Sequence, residues 1–424
     1  MYHKNRFIKI IFSIFILALL TSQCSIYADD LDSYDSPLNI DNITTQETSS
    51  VLSEESLSLN SRSCVVLDRI SKQIIYGKNE NKQVKMASTT KIMTAIIVIE
   101  NYDLNTSANI SQKAAGTGGS RLGLKTGDKI TVHDLLYGLL LCSGNDAAVA
   151  LAENVAGNIE NFSKLMNQKA LDLNLTNTHF ESPHGLDSDD HYTTAYELSL
   201  LTDYALKNST FLKIVGTKNY TITINGYSKA LSNTNELLGN LNGIYGVKTG
   251  FTNGANRCLV SSCKRGNMDI ICVVLGADTK KFRTQDSVKL IEYSFKNFEY
   301  INIEEIANKE LDSWKKNYLS NLSVCKGSSS YIQLELDKLG NSILPIKKEF
   351  ISNIKTIVSV DYNLNAPMPK GTIIGSLKIV SNDSVISNIN IITGNDIYKK
   401  NVIDYLRFFA SNYTNIYENF INMN

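Results

Sequence analysis

A serine followed three residues later by a lysine, Ser88-Thr-Thr-Lys91, sets a hydroxyl and an amine about a turn apart on one face of a helix start. A hydroxyl is a weak nucleophile until a base takes its proton. A lysine amine sheltered from water has its pKa drawn down toward the range where it can be that base. The N-terminus of the helix adds partial positive charge where an attacked carbonyl would become negative. The chemistry encoded is acyl transfer through a serine ester. The same spacing recurs at Ser261/Lys264, Ser313/Lys316, Ser323/Lys326 and Ser352/Lys355, where solvated strand or loop faces account for it. Ser88 differs in the run downstream of it: Ile92-Met-Thr-Ala-Ile-Ile-Val-Ile99 is apolar nearly all round, the mark of a helix buried inside a domain.

Two more elements share this chemistry. Ser143-Gly-Asn145 lies in a short break between the helical runs Leu135–Leu141 and Asp146 onward; alone it would be only a turn and a helix cap. Lys248-Thr249-Gly250 falls in a strand, where the small Gly250 lets a peptide lie against the backbone and the cation faces a carboxylate. A second Lys-Thr-Gly, Lys125–Gly127, precedes the Ser-Gly-Asn in a turn-rich run and reads as a loop. The order Ser-x-x-Lys, Ser-x-Asn, Lys-Thr-Gly is shared by β-lactamases and penicillin-binding proteins. Gly138-Leu-Leu-Leu-Cys-Ser143-Gly-Asn-Asp-Ala-Ala-Val-Ala-Leu-Ala-Glu153, Ser182-Pro-His-Gly-Leu-Asp187 and Gly246-Val-Lys-Thr-Gly-Phe-Thr-Asn-Gly-Ala255 extend the likeness. With them, the stretch from about residue 60 to 300 resembles the D-alanyl-D-alanine carboxypeptidases among the low-molecular-mass penicillin-binding proteins, and the rest resembles that family's C-terminal portion more loosely.

The resemblance implies an α/β, transpeptidase-like domain (an antiparallel sheet with a helical insert), followed by a small C-terminal all-β domain and an amphipathic helix. It implies Ser88 as nucleophile, Lys91 as its base, and Ser143 with Asn145 relaying protons and holding the substrate amide. Lys248 and Thr249 would bind the terminal carboxylate with Gly250 alongside, and Arg283 would support that site. The backbone N–H groups of Ser88 and Phe251 would form the oxyanion hole. The implied substrate is the peptidoglycan stem peptide, β-lactams are implied as covalent inhibitors, and no cofactor or metal is called for. Asn256 departs from the small residue that often follows Asn-Gly-Ala; it lies off the reacting atoms.

Elements must position these groups. Cys64–Leu67 and Gln73–Tyr76 read as a hairpin. Helices fit Val132–Leu141, Asp146–Ala156, Ile159–Leu171 and Ala195–Leu206, and strand signals return at Gly246–Lys248, Arg257–Lys264 and Met268–Leu275, before an amphipathic helix from about Gln285 to Phe298. Strands at both ends of a helical middle predict one α/β domain over residues 61–300 whose sheet joins both chain ends. Past Tyr300, alternation such as Tyr331-Ile-Gln-Leu-Glu-Leu336 and Gly375-Ser-Leu-Lys-Ile-Val380 predicts a small antiparallel β domain over 301–394. Over 395–424, Tyr398, Val402, Leu406, Phe409, Tyr413, Ile416 and Phe420 mark one apolar helical face, suited to lying on the outer face of the cytoplasmic membrane.

At the other end, Lys4, Arg6 and Lys9 precede an apolar run from Ile10 to Leu20 and a polar stretch ending at Ala28, the grammar of a secretory signal peptide over 1–28. The run is well short of the roughly 20 apolar residues that span a bilayer. Residues 29–60 are rich in Ser, Thr, Asn and Asp, with little apolar surface to bury, and read as a disordered linker. The chain is thus expected to be exported and held peripherally at the membrane. Forty-two basic residues balance forty-two acidic ones, which leaves no charge argument for a nucleic-acid partner. Cys64, Cys142, Cys258, Cys263, Cys272 and Cys325 remain after cleavage. Several sit in apolar runs, where a thiol behaves as a small hydrophobe.

Three competing readings are weaker. A class A β-lactamase would present a Glu-x-x-Leu-Asn segment between the second and third elements, and none is there. A zinc peptidase could use His179, His184 and His191, but they lack the helical His-x-x-x-His spacing and sit in a polar stretch with Asp187, Asp189 and Asp190. A wall-binding module without turnover would be expected to lose Ser88, Lys91 or Lys248.

Overall fold

A computed structural model describes residues 57–410 apart from 330, 383 and 408. The signal peptide expected at 1–28 and most of the 29–60 linker lie outside the described residues, as do residues 411–424. The chain forms two compact units, one from residues up to 69 with 74–294, the other from 70–73 with 295 onward.

The first unit is built on a five-stranded antiparallel sheet. Its strands are β1 (Ser63–Asp68), β2 (Ile74–Lys78), β5 (Ile244–Thr252), β6 (Asn256–Arg265) and β7 (Met268–Ala277), in the order β2-β1-β7-β6-β5. The intervening β3 (Asn219–Ile224) and β4 (Tyr227–Ser232) form a separate hairpin. The N-terminal hairpin pairs with the last strand, Cys64 opposite Val274, so the sheet does join both ends of the unit. All six residues of β1 are buried. Since successive side chains point to opposite faces, that strand is covered on both sides.

Between β2 and β5 the chain supplies helices α1 (Lys91–Asn101), α2 (Val132–Leu140), α3 (Asn145–Ala156), α4 (Ile159–Asp172), α5 (Ala195–Ala205) and α6 (Ser209–Val215). Their starts are written in the sequence: Thr131, Asn158, Thr194 and Asn208 each accept a hydrogen bond from a first-turn N–H. α3 ends at Gly157 in the left-handed conformation that glycine adopts without strain. α1 is the hub of the core, with Ile92, Met93, Ile96, Ile97 and Val98 all buried. Each contributes about 1.5–3 kcal/mol relative to exposure, and Ile96→Ala would cost about 2–5 kcal/mol.

The final helix of this region, α7 (Lys280–Asn297), starts earlier than its apolar periodicity announces. Thr279 begins it, accepting from Phe282 N through its hydroxyl (3.1 Å) and from Arg283 N through its carbonyl (3.0 Å). The first turn is largely charged, so the hydrophobic pattern shows only the later part.

The second unit holds a four-stranded antiparallel sheet, β9 (Leu334–Leu336), β11 (Lys355–Val360), β12 (Ile373–Ser381) and β13 (Ser384–Thr393), ordered β9-β13-β12-β11. It also contains a pair formed by β8 (Phe298–Asn302) and β10 (Ile343–Lys347). It is not all-β: α8 (Ile303–Tyr318) buries Ile303, Ala307, Leu311 and Trp314 along one face. Asn302 caps it through Glu305 N, and acids lead and lysines close it, as the helix dipole favours. In the tail, helix begins at Val402 rather than 395. Asn401 Oδ1 accepts from Asp404 N (2.9 Å) while Asp404 Oδ2 accepts from Asn401 N (3.0 Å), a reciprocal cap. Val402, Ile403, Leu406 and Phe409 are exposed on it.

Candidate active site

Ser88 sits in a single 3-10 turn, Ala87–Thr90, that leads directly into α1. Ala87 takes φ 49°, a costly conformation for a residue with a Cβ, and the turn is locked by Thr89 Oγ1 donating to Met86 O (2.6 Å) and Thr90 Oγ1 to Ala87 O (2.8 Å). Among residues 86 to 98 Ser88 is the one that is not fully buried. A nucleophile must meet solvent and substrate, whereas the helix behind it must not.

Lys91 is completely buried, and its Nζ reaches Ser88 Oγ at 2.7 Å, Asn145 Oδ1 at 2.7 Å and the His184 carbonyl at 3.0 Å. Three oxygens arranged around one amine fix its position. A separation of 2.7 Å from the serine is within reach for direct proton transfer. Asn145 is oriented in turn: its Nδ2 donates to Gly118 O (2.8 Å) and its backbone N to Ser120 O (2.7 Å), which leaves Oδ1 for the lysine. The next residue, Asp146, organises the same loop, its carboxylate accepting from the N–H groups of Leu122, Gly123, Leu124 and Ala147. Ser143 adopts φ 61°, and its Oγ is buried without a hydrogen-bond partner among the described residues.

The segment Ser182–Asp187 closes the site from the other side. Gly185, at φ 86°, presses on the Ser88 turn so closely that a Cβ there would lie 2.0 Å from Ala87 O, which only glycine tolerates. Pro183 O accepts from Thr94 Oγ1 (2.7 Å). Behind it His191 accepts at Nδ1 from Glu181 N (3.0 Å), so its Nε2 carries the proton and donates to Thr90 Oγ1 (2.8 Å). Burial, then His179, holds this imidazole down to about 4. Burial, then the neighbouring Lys91, brings His184 to about 3. Both rings are therefore neutral, and each histidine is tied up locally, His179 Nδ1 on Asp190 O. Among the described residues no three His, Cys, Asp or Glu converge on a point that could hold a metal.

β5 passes across the turn. Lys248 and Thr249 are 1 % exposed; Lys248 Nζ donates to Thr249 O (2.9 Å), and the Thr249 and Thr234 hydroxyls are hydrogen-bonded to each other (2.6 Å). A Cβ on Gly250 would meet Ala87 Cβ and Ser88 N at 3.1 Å, so this glycine permits the crossing. Phe251, half-buried, lies under the Arg257 guanidinium, 3.6 Å from its ring centre. The structure thus gathers Ser88, Lys91, Ser143 and Asn145 at one end of α1 and α3 and runs the Lys248–Phe251 strand alongside. Arg283 is paired internally: its Nη2 donates to both carboxylate oxygens of Glu236 (3.0 and 2.9 Å), which also takes Lys280 at 3.5 Å. A ligand carboxylate would have to share this cation with an internal one. Lys125–Gly127 forms a surface turn.

Several participants carry no local signature in the sequence. Asp146, Thr234 and the His184 carbonyl are identified only by what the fold brings near them. Asp187 ends the Ser182–Asp187 motif but reads in isolation as one more acid of a polar loop. Among the described cysteines no disulfide forms; Cys64, Cys258, Cys263 and Cys272 are buried, and burial pushes the Cys142 thiol up to about 11.

A buried lysine against a half-exposed serine at the mouth of a helix, with an amide and a Lys-Thr-Gly strand facing them, defines the class of serine acyl-enzymes that dispense with histidine. The family D-alanyl-D-alanine carboxypeptidase matches residues 48–279, and the C-terminal domain of penicillin-binding protein 5 matches 313–399. The D-alanyl-D-alanine carboxypeptidase DacF of Bacillus subtilis is 34% identical over 358 residues, covering 83% of this chain and 89% of its own. A crystal structure of the carboxypeptidase DacD of Francisella tularensis superposes with a TM-score of 0.69 at 27% identity, covering 87% of this chain and all of its own. Penicillin-binding protein 5 of Haemophilus influenzae gives 0.64 at 28% identity, over 81% of this chain and 98% of its own. This chain belongs to the D-alanyl-D-alanine carboxypeptidase family.

Proposed function

We propose that Ser88 is the nucleophile of a serine-type D-Ala-D-Ala carboxypeptidase that removes the terminal D-alanine from peptidoglycan stem peptides. Lys91 takes the Ser88 proton as Oγ attacks the penultimate carbonyl, and the N–H groups of Ser88 and Phe251 receive the oxyanion. Ser143 passes a proton to the departing amine, Asn145 holds the substrate amide, and Lys248 with Thr249 anchors the free carboxylate beside Gly250. Arg283 supports that anchor from its pairing with Glu236. Water then releases the acyl group. A β-lactam is attacked in the same way and stays on Ser88 as an ester. The observation that carries the reading is the 2.7 Å contact between a fully buried Lys91 amine and Ser88 Oγ. Mass spectrometry after incubation with penicillin tests it: the adduct should map to Ser88 and vanish in Ser88→Ala. That change removes one oxygen, and any capping loss is about 1 kcal/mol. An undiminished adduct in the variant would move the nucleophile elsewhere.

The parts serve that reaction outside the cytoplasm. Residues 1–28 direct export, 29–60 are a tether, the catalytic domain expected at 61–300 ends near Ser294, the β-rich domain expected at 301–394 takes in Phe295–Tyr300 as well, and 395–424 lie along the outer face of the cytoplasmic membrane. What supports the last assignment is the capped helix from Val402, with Val402, Leu406 and Phe409 all more than 60 % exposed. Among the described residues no helix is long and apolar enough to cross a membrane.

A further inference from the structure

The segment Ser182–Asp187 touches both halves of the site. Its carbonyls at Pro183 and His184 take Thr94 and Lys91, and Gly185 is wedged on the Ser88 turn. Its last residue turns to the opposite side: Asp187 Oδ1 accepts from Thr252 Oγ1 (2.6 Å) and Oδ2 from Gly254 N (2.8 Å). Gly254 packs so near that a Cβ would lie 2.9 Å from three atoms of the carboxylate. Thr252 ends β5, two residues beyond Gly250, and its Oγ1 also accepts from Ala255 N (3.1 Å), which braces the β5–β6 turn. The neighbouring acids take no part: Asp189 faces Lys85 at 3.5 Å, and the Asp190 carbonyl faces His179.

We propose that Asp187 is a positioning residue for acylation, a clasp that holds the loop bearing the His184 carbonyl onto the end of β5. It thereby fixes the Ser88–Lys91 pair at one spacing from the Lys248–Phe251 strand. The inference rests on the roles proposed above for Ser88 and β5. Two short hydrogen bonds to an ionised oxygen pair are strong enough for this, because charge-assisted bonds are about twice the strength of neutral ones. Rates are steep in such spacing: a misplacement of about 1 Å can cost about a hundredfold.

The test uses the full chain with Asp187→Ala, Asp187→Asn, Thr252→Val and the Asp187→Ala/Thr252→Val double variant. Four quantities are read: the end-point stoichiometry of a labelled penicillin, the acylation rate per labelled site, kcat and KM on a D-Ala-D-Ala peptide, and Tm. Asp187→Ala should keep its end point, lose about ten- to a hundredfold in acylation rate and kcat, and hold KM within about twofold. A side-chain amide in place of the carboxylate can accept from Gly254 N on Oδ1 and donate to Thr252 from Nδ2, so Asp187→Asn should recover to within about threefold. Thr252→Val should resemble Asp187→Ala, with the double variant no slower than either, since both cut one clasp. A lowered end point with a normal rate per site would reduce Asp187 to a folding role and overturn the proposal, as would additive losses in the double variant or a change confined to KM. Should Asp187→Ala fail to fold, Thr252→Val, which removes only the Thr252 Oγ1 hydrogen bonds to Asp187 and from Ala255 N, still decides. Wild-type labelling that does not map to Ser88 would instead bring down the nucleophile assignment, and this inference with it.

Discussion

Gly250→Ala puts a methyl group where β5 crosses the turn of the nucleophile. The added Cβ lies 3.1 Å from Ala87 Cβ, 3.1 Å from Ser88 N and 3.2 Å from Thr89 N. Carbon contacts relax at about 3.5–4.0 Å, so strand and turn must part by roughly half an ångström. None of the three neighbours can swing aside, because two are main-chain nitrogens and the third belongs to a turn locked by Thr89 and Thr90. Overpacking of this kind costs about 1–3 kcal/mol, which in a unit of this size lowers Tm by roughly 2–12 °C. The gap opens between Ser88 and the strand that carries Lys248 and Phe251. If about 1 Å costs about a hundredfold, half of that costs about tenfold. Stopped-flow acylation by a fluorescent penicillin, normalised to labelled sites, measures the rate, and thermal melting measures the strain. Gly116→Ala is the control, since a Cβ there meets nothing within 4 Å. A Gly250→Ala protein that acylates at the wild-type rate and melts within a degree of wild type would refute the claim that β5 bears on the nucleophile's turn.

Lys248→Ala should narrow the preference for a peptide ending in a free carboxylate over its C-terminal amide, a preference of roughly 1.5–3 kcal/mol for a hydrogen bond to a charged group, or about ten- to 150-fold in kcat/KM; equal cleavage of acid and amide by wild type would deny Lys248 that role. Stability should fall on acidification. His191 is buried neutral with its pKa near 4, against about 6.5 in the unfolded chain, so the unfolded state binds more protons in between. The contribution is complete above pH 6.5 and is lost toward pH 4 at up to about 1.4 kcal/mol per pH unit. His191→Gln should flatten that part of a denaturant-derived stability curve, and an unchanged slope would mean the imidazole is not held neutral. Deleting residues 395–424 should move the protein from the membrane pellet to the supernatant; retention in the pellet would place the attachment elsewhere.

How much of this could be read beforehand depends on how far apart in the chain the partners lie. The Ser88–Lys91 pair is legible because both partners lie within one turn, and Ser143–Asn145 because a helix break announces itself. The third acceptor on Lys91 is a carbonyl 93 residues away, and backbone carbonyls have no side-chain identity to read. Thr249 meets Thr234 only after the β3–β4 hairpin returns the chain to β5. Arg283 looks free as text because its counter-ion, Glu236, lies in a loop with no pattern of its own. The helix Ile303–Tyr318 escaped because Ala307 stands at one of its four buried positions and short alternating runs surround it. The sheet was readable in outline since β1 and β7 are built on apolar runs buried on both faces, and β6 carries the shorter run Cys258–Val260.

Ser143 combines two local penalties, a left-handed backbone and a buried hydroxyl with no protein hydrogen-bond partner among the described residues; leaving such a group unpaired costs about 1–3 kcal/mol. A lineage selected only for heat tolerance would shed it in favour of glycine, and durability would then rise as turnover fell. On the proposed reading, the molecule instead keeps a weak point at the group that hands a proton to the departing amine. A hydroxyl that folding has already withdrawn from bulk solvent would meet that group without first shedding bulk water, so the bond it forms would register in the rate more fully than one made by an exposed donor.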